Sequence, residues 1–413
     1  MRLGEIGNPD AQRYGKPLDG VRVLALEQMQ ALPFGTQLLA RLGADVVKVE
    51  HPVDGESGRG ALPAMTDPNG KRAGATFLRN NLDKRSIGID LKQPEGRELV
   101  LALAPHFDVV AENFRAGALR RLGLGYEDVR AAHPAVVYLS VSGFGNLVDS
   151  PYDSWAAYAV VPEAMSGIYD RNRPEDQMPV VGPAGALGDI SSALFSVIGV
   201  LAALRHRDRT GEGQYVDISM FDSMVAMTDV VTNLHSLGER KGPGVPLISD
   251  PFRAADGWFV AQVGREHQFE RLAALVGRPE WLTDPRLATR PGWREHLDEV
   301  IRPAVEAWAA DKTKLEAAHA MNAEGIAAGP VNGAEDVIAD PHLAARNMIV
   351  EVPRTDDDST YLLPGNPVKL SKVAEGPETR VPWIGEHTEE ILRSELGLPD
   401  DVVEQLRADG VIT

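Results

Sequence analysis

Short β-rich runs alternate with amphipathic helical stretches through the first half of this chain, at a spacing that few folds accept. Val21–Ala25 (VRVLA) reads as a strand, Phe34–Leu42 as a helix closed by Gly43, and Asp45–Glu50 (DVVKVE) as a second strand. Strand, helix and strand within about thirty residues is the size of a parallel βαβ unit. The pattern recurs. Ser86–Leu91, Asp108–Ala111 and Val136–Val141 read as strands, with Pro94–Leu103 and Ala116–Leu122 as the helices between them. Ile190–Arg207 reads as a long buried helix, and Thr210–Gly213 breaks the chain before a strand at Gln214–Met220. The chain is therefore predicted to be an α/β protein with a doubly wound parallel sheet, whose ligands bind beyond the carboxyl ends of the strands.

The 413 residues are long enough for two or three domains. From Asp256 to about Met321 the texture changes to a strand-like GWFVAQV followed by helices rich in Ala, Glu, Trp and Arg, which predicts a smaller α/β module. After Pro341 the texture of the first half returns, and a helix at Thr388–Leu396 is expected to end the fold.

With 42 Lys and Arg against 60 Asp and Glu, the net charge is −18. So acidic a surface repels phosphate backbones and anionic lipid, which argues against nucleic-acid and membrane partners. The chain has no cysteine, which excludes disulfides, thiol nucleophiles, Fe–S clusters and Cys-based zinc sites. The first twenty residues are polar and punctuated by Gly and Pro, unlike a signal peptide. The longest apolar run, Ile190–Leu204, is 15 residues and too short to span a bilayer. These features predict a soluble, cytoplasmic enzyme.

Common cofactor signatures are absent. There is no P-loop sequence, and the first βα turn carries Ala31-Leu32-Pro33 where a dinucleotide site needs G-x-G-x-x-G. H-E-x-x-H and G-x-S-x-G are missing, and ten scattered histidines show no paired spacing, so no metal site is expected. What remains is Asp189 in Gly185-Ala186-Leu187-Gly188-Asp189-Ile190-Ser191-Ser192, at or beside the N-cap of the long helix. One reading is a cap, worth about 1 kcal/mol. The other is chemical. Gly188 opens an approach to the carboxylate, and the helix dipole keeps it ionised and turns free backbone N–H groups toward developing negative charge.

The order of motifs along the chain resembles the family III CoA-transferases of the CaiB/BaiF group, from Leu18 to about Leu396. The landmarks are L-D-G-V-R-V-L at Leu18, R-L-G-A-D-V-V-K-V-E at Arg41–Glu50, N-L-D-K-R-S-I-G-I-D-L-K at Asn81–Lys92 and E-N-F-R-A-G-A-L-R-R-L-G at Glu112–Gly123. T-G-E-G-Q follows at Thr210–Gln214, G-P-V-N at Gly329–Asn332, A-D-P-H-L at Ala339–Leu343 and G-E-H-T-E-E-I-L at Gly385–Leu392. The resemblance implies a Rossmann-like large domain from residues 1–225 and 336–413, a small domain with its linkers at 226–335, and an interlocked homodimer.

It also implies that CoA passes from an acyl-CoA donor, with succinyl-CoA the expected one, to a carboxylic acid through an aspartyl-CoA thioester on Asp189. CoA is then a substrate, and no cofactor is bound permanently. By the same resemblance, Gln30 and Gly188 join Asp189 in the catalytic set. Ala31, His51, Ile89, Asp90, Leu91, Lys92, Asn113, Phe114, Arg115 and Arg121 fall on CoA-binding positions. Tyr152, Trp155 and Tyr158 suggest an aromatic acyl pocket with Gln30. There are departures. His51 stands where formyl-CoA transferase, a member of the family, carries an Arg, and Ala157 and Ala159 stand in for its Lys and Tyr. Gly242-Pro243-Gly244 replaces a four-glycine lid. Two alternatives remain: an α-methylacyl-CoA racemase-like isomerase, which needs a His where this chain has Tyr158, and an inert acyl-CoA-binding protein whose Asp189 only caps the helix.

Overall fold

The computed structural model describes residues 1–171, 173, 176–182, 185–238 and 246–413. Gly242-Pro243-Gly244 lies outside the described residues. The chain forms two compact units, one from Met1–Leu237 with His342–Thr413, the other from Gly238–Pro341. Sequence reading placed these boundaries at 225/226 and 335/336.

The larger unit is built on six strands: β1 (Arg22–Leu26), β2 (Asp45–Glu50), β3 (Lys84–Gly88), β4 (Val109–Glu112), β5 (Val137–Ser142) and β6 (Gln214–Ser219). All neighbours are parallel, in the order β3-β2-β1-β4-β5-β6. The chain order reverses between β1 and β4, so the loops leaving these two strands diverge and leave a crevice at their carboxyl ends.

Side-chain alternation explains the layers. Leu24, Leu26, Val47, Val49, Ile87, Val110 and Tyr138 bury on one face. Val23, Ala25, Val46, Val109, Ala111, Val137 and Leu139 bury on the other. A strand covered on both sides reads as a continuous apolar run, which is why these segments were legible. Among the helices of this unit are α1 (Ala31–Arg41), α2 (Pro94–Leu103), α3 (Tyr126–Ala132), α4 (Val160–Met165), α5 (Leu187–Thr210), α6 (Met220–Met227), α7 (Thr388–Leu396) and α8 (Asp400–Ala408). The first face packs residues of α2, α3, α7 and α8. The second packs α1 and α5. Gly35 lets α1 approach α5, since a Cβ there would stand 3.2 Å from the Ala193 carbonyl.

Three expectations are corrected. The helix α1 begins three residues earlier than expected, because Pro33 in a first turn removes no helical hydrogen bond. The fold does not end at α7, since α8 and the terminal Val411–Ile412 also pack on the sheet. Helix α5 spans 24 residues, long and apolar enough by length and composition to cross a bilayer. It is not buried all round: Ser192, Ser196 and Val200 are buried while Leu194 and Ile198 are exposed.

The smaller unit is a three-stranded antiparallel sheet, Ala327–Pro330, Gly257–Val263 and Ile248–Ala254 in spatial order, backed by helices. Phe252, Phe259, Phe269, Trp281 and Trp293 fill its core, with Phe269 and Trp293 stacked at 4.4 Å between ring centroids.

Candidate active site

The loop leaving β1 starts from a buried charge network. Glu27 accepts from the Lys84 ammonium at 2.7 Å and from the Thr36 hydroxyl at 2.7 Å, while Lys48 donates to the Glu27 carbonyl at 3.1 Å. Glu56 accepts from the Met29 N–H at 2.9 Å and the Gly58 N–H at 2.6 Å. Met29 has φ of 62°, a left-handed conformation that an unbranched non-glycine residue holds only when its surroundings enforce it. Glu56 supplies that enforcement, and the turn delivers Gln30 to the start of α1.

The loop leaving β4 is joined to the loop leaving β1 by Asn113, whose amide pairs with both backbone groups of Gln28. Beside it, burial pushes the Glu112 carboxyl up to about 7, against the stabilising bonds from Ser140 and the Phe114 N–H. Phe114 and Arg115 follow, and the Arg115 guanidinium donates to the Ser154 carbonyl, which anchors the loop after β5.

These loops enclose a cleft of about 380 Å³, within the ordinary range for a small-molecule site. Gln30, Ala31, Asn113, Phe114, Arg115 and Asp189 all line it, as do Trp155 and Tyr158 from the expected aromatic pocket. Tyr152 stands behind them, 4.7 Å from the Trp155 ring and 5.1 Å from Phe144, a wall residue that sequence reading missed. The Gln30 side chain has no hydrogen-bond partner among the described residues, so its amide is available to a ligand.

Asp189 sits at the third position of α5, whose N-cap is Ala186. The expected N-cap role is therefore corrected. Among the described residues no group donates a hydrogen bond to the Asp189 carboxylate, so it is held for the cleft and not for the helix. The expectation of a dipole-favoured charge also changes, since burial and then the nearby Glu163 carboxylate push Asp189 up to about 6. It remains largely ionised at neutral pH.

Glu163 was missed. It lies on α4, 1% exposed, and accepts from the Gly188 N–H at 2.9 Å and from the Tyr169 hydroxyl. The one signal in the sequence was a lone carboxylate in the otherwise uncharged stretch Ala156–Ser166. Its bond changes the reading of Gly188, which is buried rather than open to a ligand and whose N–H is already engaged. A Cβ at Gly188 would stand 3.1 Å from the Ala159 carbonyl and 3.3 Å from the Met220 sulfur, so a larger residue there would crowd both neighbours.

The other expected CoA positions do not line this cleft. Arg121 lines a second one of about 620 Å³, which shares Ala116 and Asp153 with the first. Ile89 is a core residue, 1% exposed, and pairs through its backbone with Ile412; its side chain is corrected from ligand contact to packing. Asp90 donates its N–H to the Val411 carbonyl at 2.8 Å, and its carboxylate accepts from the Lys92 N–H at 2.9 Å. Leu91 packs against the same core, and Lys92 is exposed. His51 accepts from the Val53 and Asp54 N–H groups, shaping its own turn.

Comparison with known proteins converges. The model of CoA-transferase family III matches residues 18–388. The chain is 37% identical to succinyl-CoA–D-citramalate CoA-transferase of Chloroflexus aurantiacus, over 97% of this chain and all of that one. It is 35% identical to succinyl-CoA:mesaconate CoA-transferase of Haloarcula hispanica, over 91% and 95%. It is 34% identical to formyl-CoA:oxalate CoA-transferase of Streptomyces avermitilis, over 96% and 100%. Among solved structures, a CaiB/BaiF family protein from Brucella suis superposes with a TM-score of 0.80 at 33% identity, covering 92% of this chain and 99% of that one.

Proposed function

This chain belongs to CoA-transferase family III and moves CoA between an acyl-CoA and a carboxylate, and from that premise we propose that Asp189 is the nucleophile that carries the CoA. The observation that supports this reading is a part-buried carboxylate, without a hydrogen-bond donor among the described residues, lining the cleft at the carboxyl ends of the strands.

In this scheme an Asp189 oxygen attacks the thioester carbonyl, the C–S bond breaks, and CoA thiolate leaves with its electron pair. The product is a mixed anhydride. The thiolate attacks the Asp189 carbonyl carbon, the donor acid leaves as a carboxylate, and an aspartyl-CoA thioester remains. The acceptor carboxylate then attacks that thioester, and the released thiolate attacks the acceptor's acyl carbon, restoring Asp189. No net proton moves, and each step exchanges acyl groups of similar energy. Gln30 faces the cleft with a free amide suited to polarising the thioester oxygen. Gly188 shapes the first turn of α5 rather than donating to the substrate, since Glu163 holds its N–H.

Succinyl-CoA is the proposed donor and a small dicarboxylic acid the proposed acceptor, on the strength of the citramalate and mesaconate relatives. The pantetheine arm would enter past Asn113, Phe114 and Ala31, with the phosphates toward Arg121 in the adjoining cleft. The scheme uses no permanently bound cofactor. We place the enzyme in the cytoplasm, with which a cysteine-free chain is compatible. The interlocked homodimer is likewise part of this proposal, supported by the exposed apolar side chains of Leu194 and Ile198 on α5.

The test is peptide mass after incubation with succinyl-CoA and quenching with hydroxylamine. A hydroxamate on Asp189 is the expected result. Exchange of labelled succinate into succinyl-CoA without any label at Asp189 would overturn the assignment.

A further inference from the structure

We propose that Glu163 is a positioning residue, which orients Asp189 through the Gly188 N–H and places a second carboxylate beside it. The inference rests on reading Asp189 as the nucleophile and goes beyond it.

Glu163 is buried on α4 and both its oxygens are engaged, one by the Gly188 N–H at 2.9 Å, the other by the Tyr169 hydroxyl. No Lys or Arg pairs with it among the described residues. A carboxylate in that setting costs free energy unless its bonds compensate, so its retention at this point calls for a function. Gly188 is the second residue of α5, where the backbone N–H has no helical partner. Tying that N–H to α4 fixes the turn from which the next residue, Asp189, projects. Among the described residues no hydrogen bond holds the Asp189 side chain, so its aim depends on the turn.

The electrostatic consequence follows from the same contact. Arg115, Asp153 and Tyr158 also line the Asp189 cleft. Of the charged groups around Asp189, Glu163 is the one whose field adds to burial in pushing its carboxyl up to about 6. Reactivity of an oxygen nucleophile rises with its basicity, and a group titrating just below the working pH keeps both the basicity and the charge. An ordinary carboxylate near 4 would be fully ionised but less reactive toward a thioester.

The experiment is the rate of exchange of labelled succinate into succinyl-CoA from about pH 4.5 to 8, which needs no second acceptor. Wild-type kcat/KM is expected to fall on the acid side near pH 6. Glu163→Gln keeps an acceptor for Gly188 and removes the charge, so its acid limb moves about one pH unit lower and kcat at pH 8 falls by about tenfold. Glu163→Ala loses the tether as well, and its kcat falls further, by about a hundredfold at every pH. An acid limb in Glu163→Gln that coincides with that of wild type overturns the inference, and so does a wild-type limb near pH 4. If the variants do not fold, a wild-type limb near pH 4 still overturns the inference. Hydroxylamine trapping separates the two readings. Label at Asp189 with an unshifted limb overturns only the role of Glu163, whereas exchange without label overturns the nucleophile.

Discussion

Asn113 and Gln28 exchange two hydrogen bonds at 2.9 Å, the Asn113 amide donating to the Gln28 carbonyl and accepting from its N–H. The pair spans the point where the strand order reverses and closes backbone groups that two diverging loops would otherwise leave unpaired. It therefore sets the spacing between Gln30 on one wall and Phe114 on the other. Asn113→Asp keeps the acceptor but loses the donor and turns a carboxylate toward a carbonyl. The expected cost is about 1–3 kcal/mol in urea denaturation. The KM for the acyl-CoA should rise more than kcat falls, because the wall moves while the nucleophile does not. An unchanged KM would remove Asn113 from the binding wall.

Asp189 is expected to cost the fold stability. Its carboxyl titrates at about 6 in the folded protein, above the ordinary 3.8. A raised acid destabilises the native state progressively as pH rises from 3.8 through 6, and the full cost is present at pH 7. Its size is on the order of 3 kcal/mol. Asp189→Asn breaks no hydrogen bond among the described residues, so it should raise the thermal midpoint at pH 7, leave it unchanged near pH 3, and lower exchange by about a thousandfold or more. A lower midpoint at pH 7 would show that the carboxylate stabilises the helix after all.

A second pH response is expected from Glu112. Burial dominates its rise to about 7, and Asp217 on β6 adds a like charge, against the bonds from Ser140 and Phe114. The folded pKa lies above the unfolded one, so Glu112 withdraws stability as pH climbs from about 4.5 to 7. Glu112→Gln keeps an acceptor for the Phe114 N–H at 2.8 Å and removes the charge. It should raise the urea midpoint at pH 8 and not at pH 4. Equal shifts at both values would indicate a packing effect.

The sheet was legible because five of its six strands are buried on both faces, so DVVKVE and VVYLSV announce themselves as apolar runs. Asp189 was legible through its place in an ordered set of motifs, although its position in the helix was not. An N-cap and a third helical residue differ by three positions, and the deciding Ala186 has no capping side chain. Glu163 had no local signature beyond its isolation, since its partners Gly188 and Tyr169 meet it only in the folded chain. The same holds for Ile89 and Asp90. Their backbone pairs with Val411 and Ile412, more than three hundred residues away, a contact that no local pattern announces. Local pattern predicts elements well, but contacts across the sequence decide which faces remain open.

The strongest stability effect is expected at the base of the β1 loop. Burial opposes the Glu27 charge, yet the Lys84 and Lys48 ammoniums outweigh it and hold the carboxyl below its usual range. Burial also pushes Lys84 down to about 8 against the attraction of Glu27. Glu27→Gln would take from the Lys84 ammonium its one close carboxylate and leave Lys48 with Glu56 at 3.8 Å, a loss of about 3–5 kcal/mol. The pH dependence has a definite sign. A lysine whose folded pKa lies below its unfolded value binds fewer protons when folded, so stability rises with pH above that folded value. Glu27 holds the Lys84 value up, so in the variant it falls below 8, and the stability lost at acid pH should begin to recover as the pH rises through neutrality. Adding Lys84→Met should restore part of the loss at pH 7, because the uncompensated charge is then gone. If the double variant is as unstable as the single one, the network holds the loop by shape rather than by charge.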